Sequence, residues 1–277
     1  MHKGWIALDI DGTITDLLDG IPQEVIAYLE DLDKKGWKIL FITGRSYSFG
    51  HKVLQTFSMP YFFAVQHGAD ILKMPGTSFF SRSYLSHKVI DLLEEVYVGQ
   101  QEDFLVYAGY EKGDFCYWRP ERFSKKVLGY IELIQKLCVE PWKAVKSFDF
   151  SPNTQFPLIK CVGTFEEMRK IYDKLKSYAQ LHVTMIKDPI SRELYLVLVT
   201  DAHATKGEAL KRILAAHKEK GKVIAAGDDQ NDISMLQVAD VAIAMETGPD
   251  ELKACANIIA SPASEYGIIK ALERAIV

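Results

Sequence analysis

Short apolar runs that end in polar residues and hand over to helical patterns recur at both ends of the chain. Near the start the runs cover 5–10, 37–43 and 61–66. A helix is predicted over 22–35, with Pro22 suited to its first turn and Gly36 to its stop. Towards the other end, 206–219 predicts a helix with Leu210, Ile213, Leu214 and His217 on one stripe. There follow an apolar run at 223–226, a helix from about Asn231, a run at 241–245, a helix from Pro249, a run at 258–260 and a last helix from Ser264. Apolar runs that alternate with helices are the pattern of a parallel sheet with helices on its faces. The two ends are therefore expected to build one α/β domain.

The middle reads differently. Longer strand candidates cover 104–110, 115–118, 158–164, 183–187 and 194–200. Between them 165–179 keeps helical spacing through Phe165, Met168, Ile171, Tyr172 and Leu175. The stretch is long enough to be a domain of its own. We expect residues 1–81 and 200–277 to form the two parts of one domain and 82–199 to be inserted between them. No internal repeat or low-complexity tract interrupts this organisation.

Composition narrows the classes of function. With 277 residues, two domains are favoured, and 48% hydrophobic with 25% charged residues is a globular balance. A net charge of −4 leaves no electrostatic footprint for nucleic acid, and Lys125-Lys126 reads as solvated surface. The four cysteines, Cys116, Cys138, Cys161 and Cys255, form no Cys-x-x-Cys pair. That argues against a zinc site or disulfide framework and for reduced thiols in a cytoplasm. Asp9 interrupts the first apolar run, so it is too short for a signal-peptide core, and no stretch approaches the ~20 apolar residues of a membrane span. A soluble cytoplasmic protein without membrane or nucleic-acid partners, monomeric or a small homo-oligomer, is the expectation.

The first strand runs into Asp9-Ile10-Asp11-Gly12-Thr13. In an extended segment i and i+2 share a side, so both carboxylates are expected to emerge together at the carboxyl edge, where open α/β sheets bind ligands. Four specified residues at fixed spacing arise by chance in only about one chain in several hundred. A turn rich in Asp and Gly is the bland alternative. The second strand ends in Thr43-Gly44-Arg45, which offers a hydroxyl, a flexible backbone and a guanidinium to a phosphate; a strand end followed by a glycine turn explains it as well. Gly227-Asp228-Asp229-Gln230-Asn231-Asp232 crowds three carboxylates and two amides. Like charges ~4 Å apart repel by a few kcal/mol, and an incomplete set of hard oxygen ligands suits magnesium, with a helix cap by Asn231 or Asp228 as the competing use. Lys206 opposes the helix dipole at Thr205-Lys206-Gly207, so it serves either a nearby anion or simply the solvent.

Together these segments resemble the haloacid dehalogenase superfamily of phosphotransferases. Its motifs stand here in order as Asp9-x-Asp11-Gly12-Thr13, Thr43-Gly44-Arg45, Lys206 and Gly227-Asp228-x-x-Asn231-Asp232. The long insertion is similar to the cap of the Cof-type branch, the type IIB cap, which includes sugar-phosphate phosphatases. Gln66-His67-Gly68-Ala69-Asp70-Ile71 is similar to that branch's Asn-Gly-Ala segment, with His67 in place of Asn. Before Lys206, Leu198 and His203 stand where many members have Glu and Gly.

The resemblance implies a doubly wound, Rossmann-like parallel-sheet core with an inserted α+β cap, and a magnesium-dependent phosphatase of small phosphorylated metabolites. Asp9 would be the nucleophile that forms an aspartyl-phosphate. Asp11 would protonate the leaving alcohol and then deprotonate water, and its backbone carbonyl would bind the metal. The implied metal residues are Asp9, Asp11, Asp228 and Asp232, with Asn231 and Asp232 in support. Gly12, Thr43, Gly44, Arg45, Lys206 and Asn231, with Asp9, would hold the phosphate or substrate. The cap would close over the site, where Tyr107, Tyr110, Tyr117, Trp118, Arg119 and Arg122 compete between substrate contact and cap core. His203 reads as an ordinary surface histidine. Other readings are a phosphomutase, a silent phospho-ligand binder and a receiver domain, the last disfavoured by the split core. No P-loop is present, since Val223 follows Gly221-Lys222.

Overall fold

The computed structural model of the protein describes residues 2–137, 141–188, 190–191, 193–218 and 221–277, so Cys138 and Glu219 lie outside the described residues. The chain divides into two compact units. One comprises Met1–Arg45, Gly50–Arg82 and Thr205–Val277; the other comprises Ser46–Phe49 and Ser83–Ala204.

The first unit is built on an eight-stranded sheet. Its strands are β1 (Gly4–Leu8), β2 (Trp37–Ile42), β3 (Tyr61–Val65), β4 (Asp70–Met74), β5 (Ser78–Arg82), β6 (Lys222–Gly227), β7 (Val241–Met245) and β8 (Ile258–Ala260). They lie in the order β8-β7-β6-β1-β2-β3-β4-β5. The first six are parallel, and β4 and β5 run antiparallel at one edge. The chain starts in the middle at β1, winds outward through β2 and β3, and returns on the other side through β6. The fold is the doubly wound one expected from the sequence, and its switch point is the carboxyl end of β1.

All five residues of β1 are buried, as a strand covered on both faces requires. Residues two apart sort onto one face: Trp5 and Ala7, Leu40 and Ile42, and Val223 and Ala225 pack in one cluster with Leu210 and Ile213. The last two belong to the helix Lys206–Ala215. That helix stops short of the predicted stripe. His217 lies beyond it, and its ring packs edge-on against Trp5 with centroids 4.7 Å apart. The final helix begins at Gly267 rather than Ser264, because 263–265 form a 3-10 turn and Tyr266 takes a φ of 56°. The β4–β5 hairpin escaped the hydrophobic pattern because β5 is an edge strand with no fully buried residue.

In the second unit six strands lie in the order Leu181–Lys187, Tyr195–Asp201, Leu158–Gly163, Phe104–Tyr107, Cys116–Trp118 and Trp142–Ala144. All pairs are antiparallel except the last. Alternation divides this sheet between two cores. Ile159 and Cys161 face the helix Phe165–Leu175 through Met168 and Ile171, whereas Leu158 and Val162 pack with Val127 and Ile131 of Lys125–Leu137. Phe165, placed by its spacing on the apolar stripe, is exposed instead. The Thr164–Glu167 capping box starts the helix at Phe165 itself, and it ends at Leu175 rather than Ala179. The strand predicted to reach Tyr110 ends at Tyr107, because Gly109 takes a φ of 79° and opens a turn.

Leu210 is fully buried on the helix that begins with Lys206. Leu210→Ala is expected to cost about 2–5 kcal/mol in denaturant unfolding; a loss below about 1 kcal/mol would contradict its place in this core.

Candidate active site

The four chemically suggestive segments all belong to the first unit, three of them at carboxyl ends of its parallel strands. Asp9 follows directly after β1, and its N–H donates to the Ala226 carbonyl at 3.0 Å. The chain then turns, with the Ile10 carbonyl accepting from the N–H groups of Thr13, Ile14 and Thr15. Gly12 takes a φ of +71°, and a Cβ there would stand 2.1 Å from Oδ2 of Asp228. Only glycine lets the loops after β1 and β6 come this close.

The loop after β2 is braced from its neighbour. Gln66 N–H donates to the Arg45 carbonyl at 2.8 Å, and His67 N–H to the Thr43 carbonyl at 2.9 Å. Thr43 Oγ1 accepts from the Arg45 N–H at 3.1 Å. A Cβ on Gly44 would meet the His67 ring at 2.9 Å. Gln66 and His67 take φ values of 49° and 60°, a left-handed pair costing ~1 kcal/mol or more per residue, which the two backbone bonds help to hold. Sequence reasoning noticed this segment only as a family likeness. Its bracing role has no local signal, since neither residue is a glycine.

Lys206 is 2% exposed, which removes the reading of a solvated surface lysine. Its Nζ donates to Oδ1 of Asp9 and Oδ1 of Asp232, both at 2.6 Å. Thr205 caps the helix by accepting from the Glu208 N–H, and Gly207 N–H donates to Oγ of Ser234. The other oxygen of Asp232 accepts from the N–H groups of Asp228 and Asp229 at 3.1 Å each. Asp229 rather than Asn231 or Asp228 caps the short turn that follows, accepting from Gln230 N–H at 2.7 Å.

Asp9, Asp228 and Asp232 each offer an oxygen to a group whose members lie within 4.8 Å of one another. Asp11 is not among them. β1 ends at Leu8, and between Asp9 and Asp11 the chain enters the turn closed on the Ile10 carbonyl. The Asp11 carboxylate meets Arg45 instead, accepting from Nε at 2.9 Å and from Nη2 at 2.5 Å. In the second unit Tyr107 belongs to a core cluster, and the buried Arg119 is engaged by Asp103 at 2.7 Å and Glu94 at 2.5 Å.

Three carboxylates thus face one ammonium. Burial pushes the Asp9 carboxyl well above its ordinary range, Lys206 pulls it back, and Asp232, Asp228 and Asp11 add to the rise. Burial and then Asp232 push Asp228 up to about 7. Burial works against the charge on Lys206, but Asp232 and Asp9 more than offset it, and its pKa lies above the ordinary value. The excess of negative charge and the all-oxygen donor set fit a hard divalent cation. The buried Oδ1 of Asn231 and Oγ1 of Thr13 have no hydrogen-bond partner among the described residues, and the first of these sits in the same acidic loop.

Residues 6–272 match the family model of the haloacid dehalogenase-like hydrolases, and the chain belongs to that family. A phosphoglycolate phosphatase of Sulfurisphaera tokodaii is 34% identical over 77 residues, 28% of this chain and 34% of that one. The match therefore spans about a third of that relative's length. A Mycoplasma genitalium protein provisionally named a phosphatase is 23% identical over 92% of this chain and 91% of its own. A solved phosphatase of the superfamily from Bacteroides thetaiotaomicron shares the fold, with a TM-score of 0.78, 21% identity, and coverage of 100% of this chain and 96% of that one. Family membership makes the chain a hydrolase, and several of its relatives carry the names of phosphatases.

The raised Asp228 carboxyl has a measurable consequence. Between about 4, its ordinary value, and about 7 the unfolded chain has lost this proton while the folded one keeps it, so folding binds a proton and stability falls as pH rises. In EDTA, Asp228→Asn is expected to melt above the wild type by a margin that grows across this window. A margin independent of pH would contradict the burial of this carboxyl beside Asp232.

Proposed function

We propose that this hydrolase is a magnesium-dependent phosphatase of small phosphorylated metabolites, sugar phosphates and similar esters, acting through an aspartyl-phosphate on Asp9. The reading is carried by one observation: a buried lysine spans Asp9 and Asp232 beside Asp228, where three separate stretches of chain meet. The phosphatase names of its relatives support the same class.

Asp9 attacks phosphorus as a carboxylate, which needs no base but must approach an anion. Lys206 lowers that electrostatic barrier and, held between Asp9 and Asp232, keeps the nucleophile oriented. Asp9, Asp228 and the Asp11 backbone carbonyl would hold magnesium, with Asp232 and Asn231 in support. Bound there, the ion would neutralise the carboxylates and the charge of the phosphoryl group. The Thr43 hydroxyl and the Gly44 N–H hold phosphoryl oxygens, with Gly12 allowing close approach of backbone. Asp11 gives a proton to the departing alcohol oxygen and later takes one from the attacking water. The inserted 82–199 segment is read as a cap of the type IIB class.

Asp9→Asn is expected to lower turnover of para-nitrophenyl phosphate by more than ~10³-fold with the melting behaviour of a folded protein. Substantial residual turnover would remove Asp9 from its role. EDTA is expected to abolish activity and magnesium to restore it; activity indifferent to chelation would sink the metal assignment.

A further inference from the structure

Arg45 is nearly buried, at 8% exposure, and its guanidinium engages the Asp11 carboxylate and the Leu18 carbonyl. Nε and Nη2 grip the two oxygens of Asp11 side-on, and Nη1 donates to the Leu18 carbonyl at 3.2 Å. Its backbone is tied as well, through its N–H to Thr43 Oγ1 and its carbonyl to Gln66 N–H. The Asp11 side chain, by contrast, is 57% exposed and stands on a turn. An exposed carboxylate on a turn samples several rotamers, whereas a two-point fork fixes both its direction and its plane. The fixed member of this pair is the arginine and the oriented member is the aspartate. Each gripped oxygen keeps a second lone pair on which a proton can ride.

We propose that Arg45 is the positioning residue of the proton transfers made by Asp11, rather than a substrate ligand. The inference rests on the phosphatase reading above. In the first step an Asp9 oxygen bonds to phosphorus, the phosphorus–alcohol bond breaks, and the alcohol oxygen takes the Asp11 proton. In the second, water oxygen bonds to phosphorus, Asp11 takes its proton, and the phosphorus–Asp9 bond breaks. Arg45 touches neither phosphorus nor alcohol in this scheme. It sets the carboxylate that serves both steps.

Proton donation matters for an alkoxide and little for nitrophenolate, so the two leaving groups separate positioning from binding. The first-step rate is read as kcat/KM, which excludes the shared hydrolysis of the intermediate. The experiment compares wild type, Arg45→Gln and Arg45→Lys on para-nitrophenyl phosphate and on the alkyl ester turned over fastest in a sugar-phosphate panel. In Arg45→Gln, kcat/KM for the alkyl ester is expected to fall at least ~20-fold further than that for the aryl ester. The aryl ester should also show a nitrophenolate burst matching the enzyme concentration, because the second step then lacks its oriented base. Arg45→Lys keeps the charge without the fork and should recover only part of the difference, with circular dichroism confirming that both variants fold. Equal losses on both esters, or a KM rise on both with kcat kept, would overturn the proposal and make Arg45 a loop anchor or a phosphate ligand. Failure of the phosphatase reading itself would look different: wild-type protein inert on both esters, taking this inference down with it.

Discussion

An ammonium held out of water between two carboxylates organises the first unit. Removing a charge from solvent costs several kcal/mol, and Lys206 is tolerated only because Asp9 and Asp232 meet it at 2.6 Å each. The contact joins residues 197 and 26 positions apart along the chain, so it exists only when β1, β6 and the helix Lys206–Ala215 are all in place. Asp232 in turn accepts from two backbone N–H groups of the loop after β6. One lysine thereby registers three segments against one another, and the third carboxylate, Asp228, has its ionisation opposed first by burial and then by Asp232.

Around this contact the backbone is arranged for close approach rather than for comfort. Gly12 lets one loop come against Asp228, and Gly44 lets another come against the ring of His67. Gln66 and His67 hold left-handed conformations that ordinary residues avoid, and they are kept there by bonds to the Thr43–Arg45 loop. Strain of this kind collects where a chain must present N–H groups and side chains in one fixed array. Within the second unit, charged residues are turned to a different use. Arg119 is buried between Asp103 and Glu94 and over the ring of Phe148, so it serves that unit's own packing.

The hydrophobic pattern and the motifs determined a good deal by themselves. A parallel strand buried along most of its length must be largely apolar, which is why β1, β2, β6 and β7 stood out, and the polar segments after β1, β2 and β6 marked the chemistry before any fold was known. What escaped was whatever depends on a partner distant in sequence. The β4–β5 hairpin carries an edge strand with no buried residue, His217 leaves its helical stripe to pack on Trp5, and Phe165 is turned outward by a capping box. Tertiary structure alone decided that Lys206 is buried, that Asp229 is the cap in place of Asn231 or Asp228, and that the Asp11 carboxylate lies on Arg45. Local spacing assigns a side chain to a face only while the strand or helix continues. Past its end, hydrogen bonds and charge from other parts of the chain set the direction.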